Sequence, residues 1–197
     1  MKITLIKSPT DADWMEVKRR ALITIGLKPK TQPDDKWKHG ILEARHSPIR
    51  YLWFSFLFEG VPSNTSNHLR THHIGTNQTD EQLYISSLRN DRQTAIDGDA
   101  ARRDTPVDMI VDINAEALMI WANKRLCGRA AERTRQVVRK MCDLVIAAEP
   151  GIWEGLLVPM CVHCGGVCHE MDSCGRCGKT EAFADAAALK FADNPTV

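Results

Sequence analysis

Three histidines and an arginine stand close together in the stretch NHLRTHHIGTN, residues 67–77: His68, Arg70, His72 and His73. Neutral imidazole binds metals, and near neutral pH it also donates to phosphates and transfers protons. The stretch itself contains no cysteine or carboxylate that would complete a metal set. A solvated polar loop would have the same composition, so the pattern alone leaves a metal, an anionic ligand and a plain loop open.

The second chemical pattern is a pair of cysteine motifs near the C-terminus, CVHCG and CGRCG, which supply Cys161, Cys164, Cys174 and Cys177. Two such CxxC-Gly turns provide four sulfurs, the tetrahedral set that a structural zinc ion prefers. His163, Cys168 or His169 could replace one of the four. The alternative is a reduced tail without metal. Because four protein ligands leave no open position, we expect a zinc ion here to stabilise the fold and not to catalyse.

The third pattern is an arginine on the apolar face of a helix. Leu118 and Ala122 belong to a stripe at helical spacing, and Arg125 follows Leu118 by seven positions. Asn114 falls on the same face. A guanidinium that points inward needs a partner. Helix geometry alone leaves an internal salt bridge and an anionic or heterocyclic ligand equally open.

The composition limits the classes of protein that could carry these patterns. The chain has 197 residues, 43% hydrophobic residues, 26% charged residues and a formal net charge of +1. The hydrophobic content is enough for a real core. The small net charge gives no overall electrostatic attraction to nucleic acid. No apolar run approaches the roughly 20 residues of a membrane span, and the N-terminus does not resemble a signal peptide. Seven cysteines without such a signal predict a cytoplasmic protein that binds metal.

The elements that position these residues follow from periodicity and helix caps. The pattern predicts strands at 2–7 and 51–60 and a helix over 9–28 capped by Thr10 or Asp11. It further predicts short helices within 29–45, from about 63 and over 180–193, a long polar loop over 76–111, and a long helix over 114–150 that Gly128 could break. The predicted fold is α+β, with a main domain over residues 1–157 and a cysteine-rich tail over 158–197.

The order of several short motifs resembles the flavin-dependent thymidylate synthases over residues 40–150. The motifs are HSPIRYLWFSFLFEG, RTHHIG, a Ser-x-Arg segment, an Ala-Arg segment and the helix NAEALMIWANKRL. The resemblance is greatest to a divergent branch from phages and Gram-positive bacteria. It implies a central mixed or antiparallel sheet with long helices, to which the cysteine tail adds a zinc-binding appendage.

The resemblance implies a role for individual residues. Those facing the flavin or folate would be Ser47, Arg70, His72, His73 and Asn114. Arg89, Arg102 and Arg125 would bind the nucleotide, and Ser87 and Arg125 would lie at the reacting ring. The chain departs from the family pattern at Thr71, where an arginine is expected, at His73, where the second cation becomes titratable, and at Glu116, which replaces another arginine.

The activity that the resemblance implies is one-carbon transfer to C5 of a pyrimidine deoxynucleotide, either dUMP to dTMP or a related hydroxymethylation of phage nucleotides. FAD, NADPH and methylenetetrahydrofolate would be required, and the protein would be a homotetramer in the cytoplasm, or in the host cytoplasm if phage-encoded. One alternative is a nucleotide-binding or interaction protein without catalysis on the same fold. Another is a zinc-ribbon nucleic-acid binder, which the near-zero net charge disfavours.

Overall fold

The computed structural model describes residues 1–70, 83–87 and 104–175. Its strands are β1 (Lys2–Lys7), β2 (Trp53–Pro62), β3 (Leu83–Ser87) and β4 (Pro106–Asn114). Its helices are α1 (Asp11–Ile23), α2 (Asp35–Glu43), α3 (Ser63–Arg70), α4 (Ala115–Arg125), α5 (Glu132–Ala148) and α6 (Met160–His163). A 3-10 helix spans Ser47–Tyr51. The α+β class is as predicted, and the helix predicted over 180–193 lies outside the described residues.

The four described strands form one sheet in the order β1-β2-β4-β3, and each neighbouring pair is antiparallel. The side chains of Phe54, Phe56 and Phe58 in the central strand β2 are fully buried, and they alternate with less buried residues. This period of two places one face of β2 in the core. The mixed or antiparallel sheet expected from sequence is antiparallel throughout the part of the chain that the structure describes.

The long polar loop predicted over residues 76–111 is wrong in part, because β3 and the start of β4 lie within it. In β4 the buried residues Val107, Met109 and Val111 alternate with the exposed Asp108 and Ile110. Asp108 and Asp112 interrupt the apolar residues of β4, and the alternation of buried and exposed positions is what identifies the segment as a strand.

The helices cover the apolar face of the sheet. One carboxylate joins a tryptophan of α1 to a tryptophan that follows α5. Trp14 of α1 and Trp153 after α5 are both almost completely buried. Their indole nitrogens donate to the two oxygens of Glu149 at 2.7 and 2.8 Å. The predicted cap of α1 is confirmed, since Thr10 and Asp13 form a reciprocal capping box.

The helix predicted over residues 114–150 is broken, as the glycine at position 128 indicated. α4 ends at Arg125 and α5 begins at Glu132. The carbonyl of Gly128 in the connection accepts a hydrogen bond from Arg135 at 3.3 Å. The break lets α4 and α5 pack against each other and so places Arg125 at the end of a helix instead of in its middle.

The chain after α5 returns to the core before it enters the cysteine-rich region. Val158, Cys161 and Val162 are buried, and the carbonyl of Val158 accepts a hydrogen bond from Asn123 of α4 at 2.7 Å. The domain boundary at residues 157/158 stays a prediction. In the described ranges no helix has the length and apolar character needed to span a membrane.

Candidate functional site

The centre of the candidate site is the junction at which β4 becomes α4. Asn114 is 1% exposed, and its Oδ1 accepts the backbone N–H of Ala117 at 2.9 Å, which caps the helix. The next N–H, that of Ala115, donates to the carbonyl of Leu52 at 2.9 Å. This bond holds the start of α4 beside the 3-10 helix. Two residues expected to face the flavin, Asn114 and the exposed Ser47, therefore lie on neighbouring elements.

The carboxylate at position 116 does not stand alone. Arg50, in the 3-10 helix, donates from Nε and Nη2 to the two oxygens of Glu116, the second at 3.3 Å. The hydrogen bond and the charge of Glu116 raise the pKa of Arg50 above its ordinary value. The pair neutralises the negative charge that the sequence places in the first turn of α4. Sequence analysis did not single out Arg50, because nothing local connects it to a residue 66 positions away.

Arg125 is the last residue of α4, and it is half-buried. Its Nε is inaccessible to solvent and has no hydrogen-bond partner among the described residues. Burial lowers the pKa of Arg125 below its ordinary value. Leu118 and Ala122 on the same face are fully buried, so the helix has the inward phase expected from its sequence. Among the described residues no carboxylate forms a salt bridge with Arg125, so the internal ion pair left open above is not seen in this part of the chain.

The remaining predicted site residues fall into two groups. His72, His73, Arg89 and Arg102 lie outside the described residues, as does Thr71. Arg70 is the last residue of α3, and Ser87 is the last residue of β3, where it pairs with Met109 of β4. The hydroxyl of Ser66 in α3 lies 3.3 Å from the Met109 sulfur. Helix α3 and the end of β3 therefore meet the same residue of β4.

The first cysteine motif forms a tight turn at the end of α6. Cys161 lies in the helix and Cys164 caps it. Gly165 and Gly166 follow with φ of +64° and +93°, and the N–H of Gly166 donates to the Cys161 carbonyl at 2.7 Å. These left-handed angles need glycine. The requirement explains the glycine after the motif whether or not a metal is bound.

The second cysteine motif lies against the end of α4. Cys174 is described and Cys177 is not, and within residues 1–70, 83–87 and 104–175 no three potential metal ligands are grouped around one point. The Cys174 side chain contacts Cys127, two residues after α4, which sequence analysis missed. Ion pairs lie on either side: Lys124 with Glu170 at 3.2 Å and Arg129 with Asp172 at 3.6 Å. The four-cysteine zinc site stays a prediction.

Comparison with solved structures identifies the fold. The crystal structure of thymidylate synthase X (ThyX) from Helicobacter pylori with FAD and dUMP matches with a TM-score of 0.61 at 12% identity, over 80% of this chain and 99% of that one. The UMP/dUMP methylase PolB from Streptomyces cacaoi, bound with 5-Br dUMP, matches with a TM-score of 0.57 at 14% identity, over 77% and 92%.

The chain has the ThyX fold. A second structure of the Helicobacter pylori enzyme, described as flavin-dependent, agrees with a TM-score of 0.62 at 12% identity, over 79% of this chain and 99% of that one. No family model and no curated protein sequence matches the chain. At such low identity the comparison shows that the packing of the sheet and helices is shared. It does not show that the side chains of the site are shared. The ThyX fold covers the sheet and helices and does not test the cysteine tail.

We predict that the tail binds one zinc ion per chain through Cys161, Cys164, Cys174 and Cys177. Replacement Cys174→Ser should release most of the metal and lower the melting temperature, because the bound ion contributes to the free energy of folding. Elemental analysis and a thermal melt with and without a strong chelator measure both effects. Met171→Ala, a change at a fully exposed side chain of the same tail, is the control. A metal-free wild-type protein whose melting temperature ignores the chelator contradicts the prediction.

Proposed function

We propose that the protein is a flavin-dependent enzyme that transfers one carbon to C5 of a pyrimidine deoxynucleotide, converting dUMP to dTMP. The observation that carries the proposal is the half-buried guanidinium of Arg125, whose Nε has no hydrogen-bond partner among the described residues, on a ThyX fold whose solved examples hold FAD with dUMP, or a brominated dUMP. A buried cationic donor without a protein partner is costly unless a ligand supplies the acceptor. The pyrimidine nucleotide offers carbonyl oxygens that suit it.

The junction of β4 and α4 fits the flavin on chemical grounds. Ser47 is exposed at the start of the 3-10 helix, whose other end is bonded to the start of α4. The helix dipole at the start of α4 favours the negative charge of a phosphate or of a reduced ring. The Oδ1 of Asn114 is committed to the helix cap, so a contact with the flavin would use its Nδ2. Since Arg50 neutralises Glu116, the carboxylate adds no net repulsion. This weakens one reason for a function without catalysis.

The protein's part in the reaction would be electrostatic. Bound FAD, reduced by NADPH, would supply hydride, and methylenetetrahydrofolate would supply the carbon. Arg125 would stabilise the electron density that builds on the uracil ring, as a fixed donor in a water-poor site does. Arg89 and Arg102 would hold the phosphate, since planar guanidinium groups bind phosphate through two hydrogen bonds. Arg70, His72 and His73 would face the flavin and folate, and Ser87 would lie near C5 without acting as a strong nucleophile.

The proposed activity is tested with purified protein, FAD, NADPH, methylenetetrahydrofolate and dUMP. We expect a flavin spectrum after gel filtration and dTMP by mass spectrometry, and UMP in a parallel reaction tests the choice of sugar. A protein that binds dUMP, ignores FAD and forms no product would support the nucleotide-binding function without catalysis instead. A C5-hydroxymethyl product would retain the enzyme class and change the product.

The role of Arg125 is tested by replacement and calorimetric titration with dUMP. Arg125→Ala should weaken binding by about 1.5–3 kcal/mol, the range for a charge-assisted hydrogen bond. Arg125→Lys should also weaken it, because lysine keeps the charge and loses the planar fork. Lys124→Ala removes the neighbouring exposed cation, which pairs with Glu170, and should leave the affinity unchanged. Unchanged affinity in Arg125→Ala with a lowered melting temperature would show that the arginine is only structural.

We further propose that the chain forms a homotetramer with flavin and nucleotide bound where subunits meet, because the resemblance implies that the residues around Arg70 and those of α4 come from different chains. Light scattering after gel filtration should give about four times the chain mass of 22.1 kDa. The measurement is made at micromolar concentration with and without FAD. A mass of one chain under both conditions would exclude a site shared between subunits.

A further inference from the structure

The C-terminus of α2 contains a residue in a conformation that it does not favour. Arg45 has φ of +48° and is the only non-glycine residue with positive φ among those described. Its N–H donates to the Leu42 carbonyl at 2.9 Å, and the N–H of His46 donates to the Ile41 carbonyl at 3.2 Å. This pair of bonds is the Schellman motif, in which glycine usually occupies the left-handed position because it has no Cβ. An arginine that keeps this strain indicates a use for its side chain.

The Arg45 side chain reaches from α2 to α4. Its Nη2 donates to the Oδ1 of Asn123, which is 1% exposed, and the Nδ2 of Asn123 donates to the Val158 carbonyl at 2.7 Å. The Nε of Arg45 is buried and has no hydrogen-bond partner in the described ranges. One guanidinium thus joins the end of α2 to α4 and, through Asn123, to the Val158 carbonyl.

The position of this contact relates it to the proposed site. Ser47, at the start of the 3-10 helix, follows Arg45 by two residues, and Arg125 follows Asn123 by two residues. At its other end α4 is held to the same segment of chain by the bond from the Ala115 N–H to the Leu52 carbonyl. Residues 45–52 therefore hold α4 at both ends, once through the backbone and once through the Arg45 side chain.

We propose that Arg45 is a positioning residue that fixes Arg125 relative to the 3-10 helix, and so couples the nucleotide contact to the flavin contact. The inference rests on the proposed function, since it names the residue that aligns the two halves of that site. A glycine would form the same turn with less strain, but it would leave Asn123 without its donor. Among the described residues, packing, the bond from Asn123 to Val158 and the exposed ion pair of Lys124 with Glu170 would then hold the last turn of α4.

Arg45→Gly is the informative variant, because glycine suits the left-handed turn and removes only the side chain. We expect its melting temperature to fall by only a few degrees, whereas its affinities for both dUMP and FAD should fall about tenfold or more, the scale for losing a charge-assisted hydrogen bond. Arg45→Lys keeps the charge without the fork and should lower both affinities by less. Arg129→Gly, which removes an exposed cation paired with Asp172 beyond the end of α4, should leave both unchanged.

Amide hydrogen exchange on the ligand-free proteins separates this inference from the proposed function. Arg45→Gly should increase exchange in residues 47–51 and in the last turn of α4, and Arg129→Gly should not. Exchange in these segments that equals the wild type, or wild-type affinities for both ligands, would overturn the role of Arg45. A wild-type protein that binds neither FAD nor dUMP would overturn the proposed function. In that case the exchange data alone would support or refute the positioning of α4 by Arg45.

Discussion

The register of β2 against β4 is the constraint on which the site depends. Phe56 pairs with Val111, and Trp53, the first residue of β2, pairs with Asn114, the last of β4. The 3-10 helix that precedes β2 and the helix α4 that follows β4 therefore leave the sheet at one point. A shift of the register by one residue would move every phenylalanine of β2 to the opposite face. Burial of these rings thus also fixes where the end of the 3-10 helix, at Leu52, meets the start of α4.

The charged residues at the two ends of α4 differ in whether the described residues supply them with a partner. At the start of the helix Glu116 receives two hydrogen bonds from Arg50, and both charges are satisfied within the chain. At its end Arg125 has a buried Nε for which no partner is described. An unpaired buried donor costs about 1–3 kcal/mol, a large part of the net stability of a domain. In the proposed function a bound nucleotide would supply the missing acceptor and so offset that cost.

The residues that could be predicted from the sequence have partners nearby along the chain, whereas those that were missed have partners many positions away. The cap of α1 joins Thr10 to Asp13, and the phase of Arg125 follows from Leu118, seven residues earlier. Both are local relations that periodicity reveals. Arg45 and Arg50 have partners 78 and 66 positions away, and no pattern within one element indicates them. The start of β4 was missed for another reason: it directly follows the long charged stretch that ends at Pro106, and Asp108 interrupts its apolar residues.

The cysteine-rich tail contacts the end of α4, the same end that carries Arg125. Two kinds of contact join the tail to this helix, and they differ in strength. The pairs of Lys124 with Glu170 and of Arg129 with Asp172 are solvent-exposed, and such pairs contribute little. The bond from the buried Asn123 to Val158 is shielded from water, so it holds the start of the tail more firmly. The start of the tail is therefore joined to the helix that ends at Arg125 by one shielded hydrogen bond as well as by the surface ion pairs.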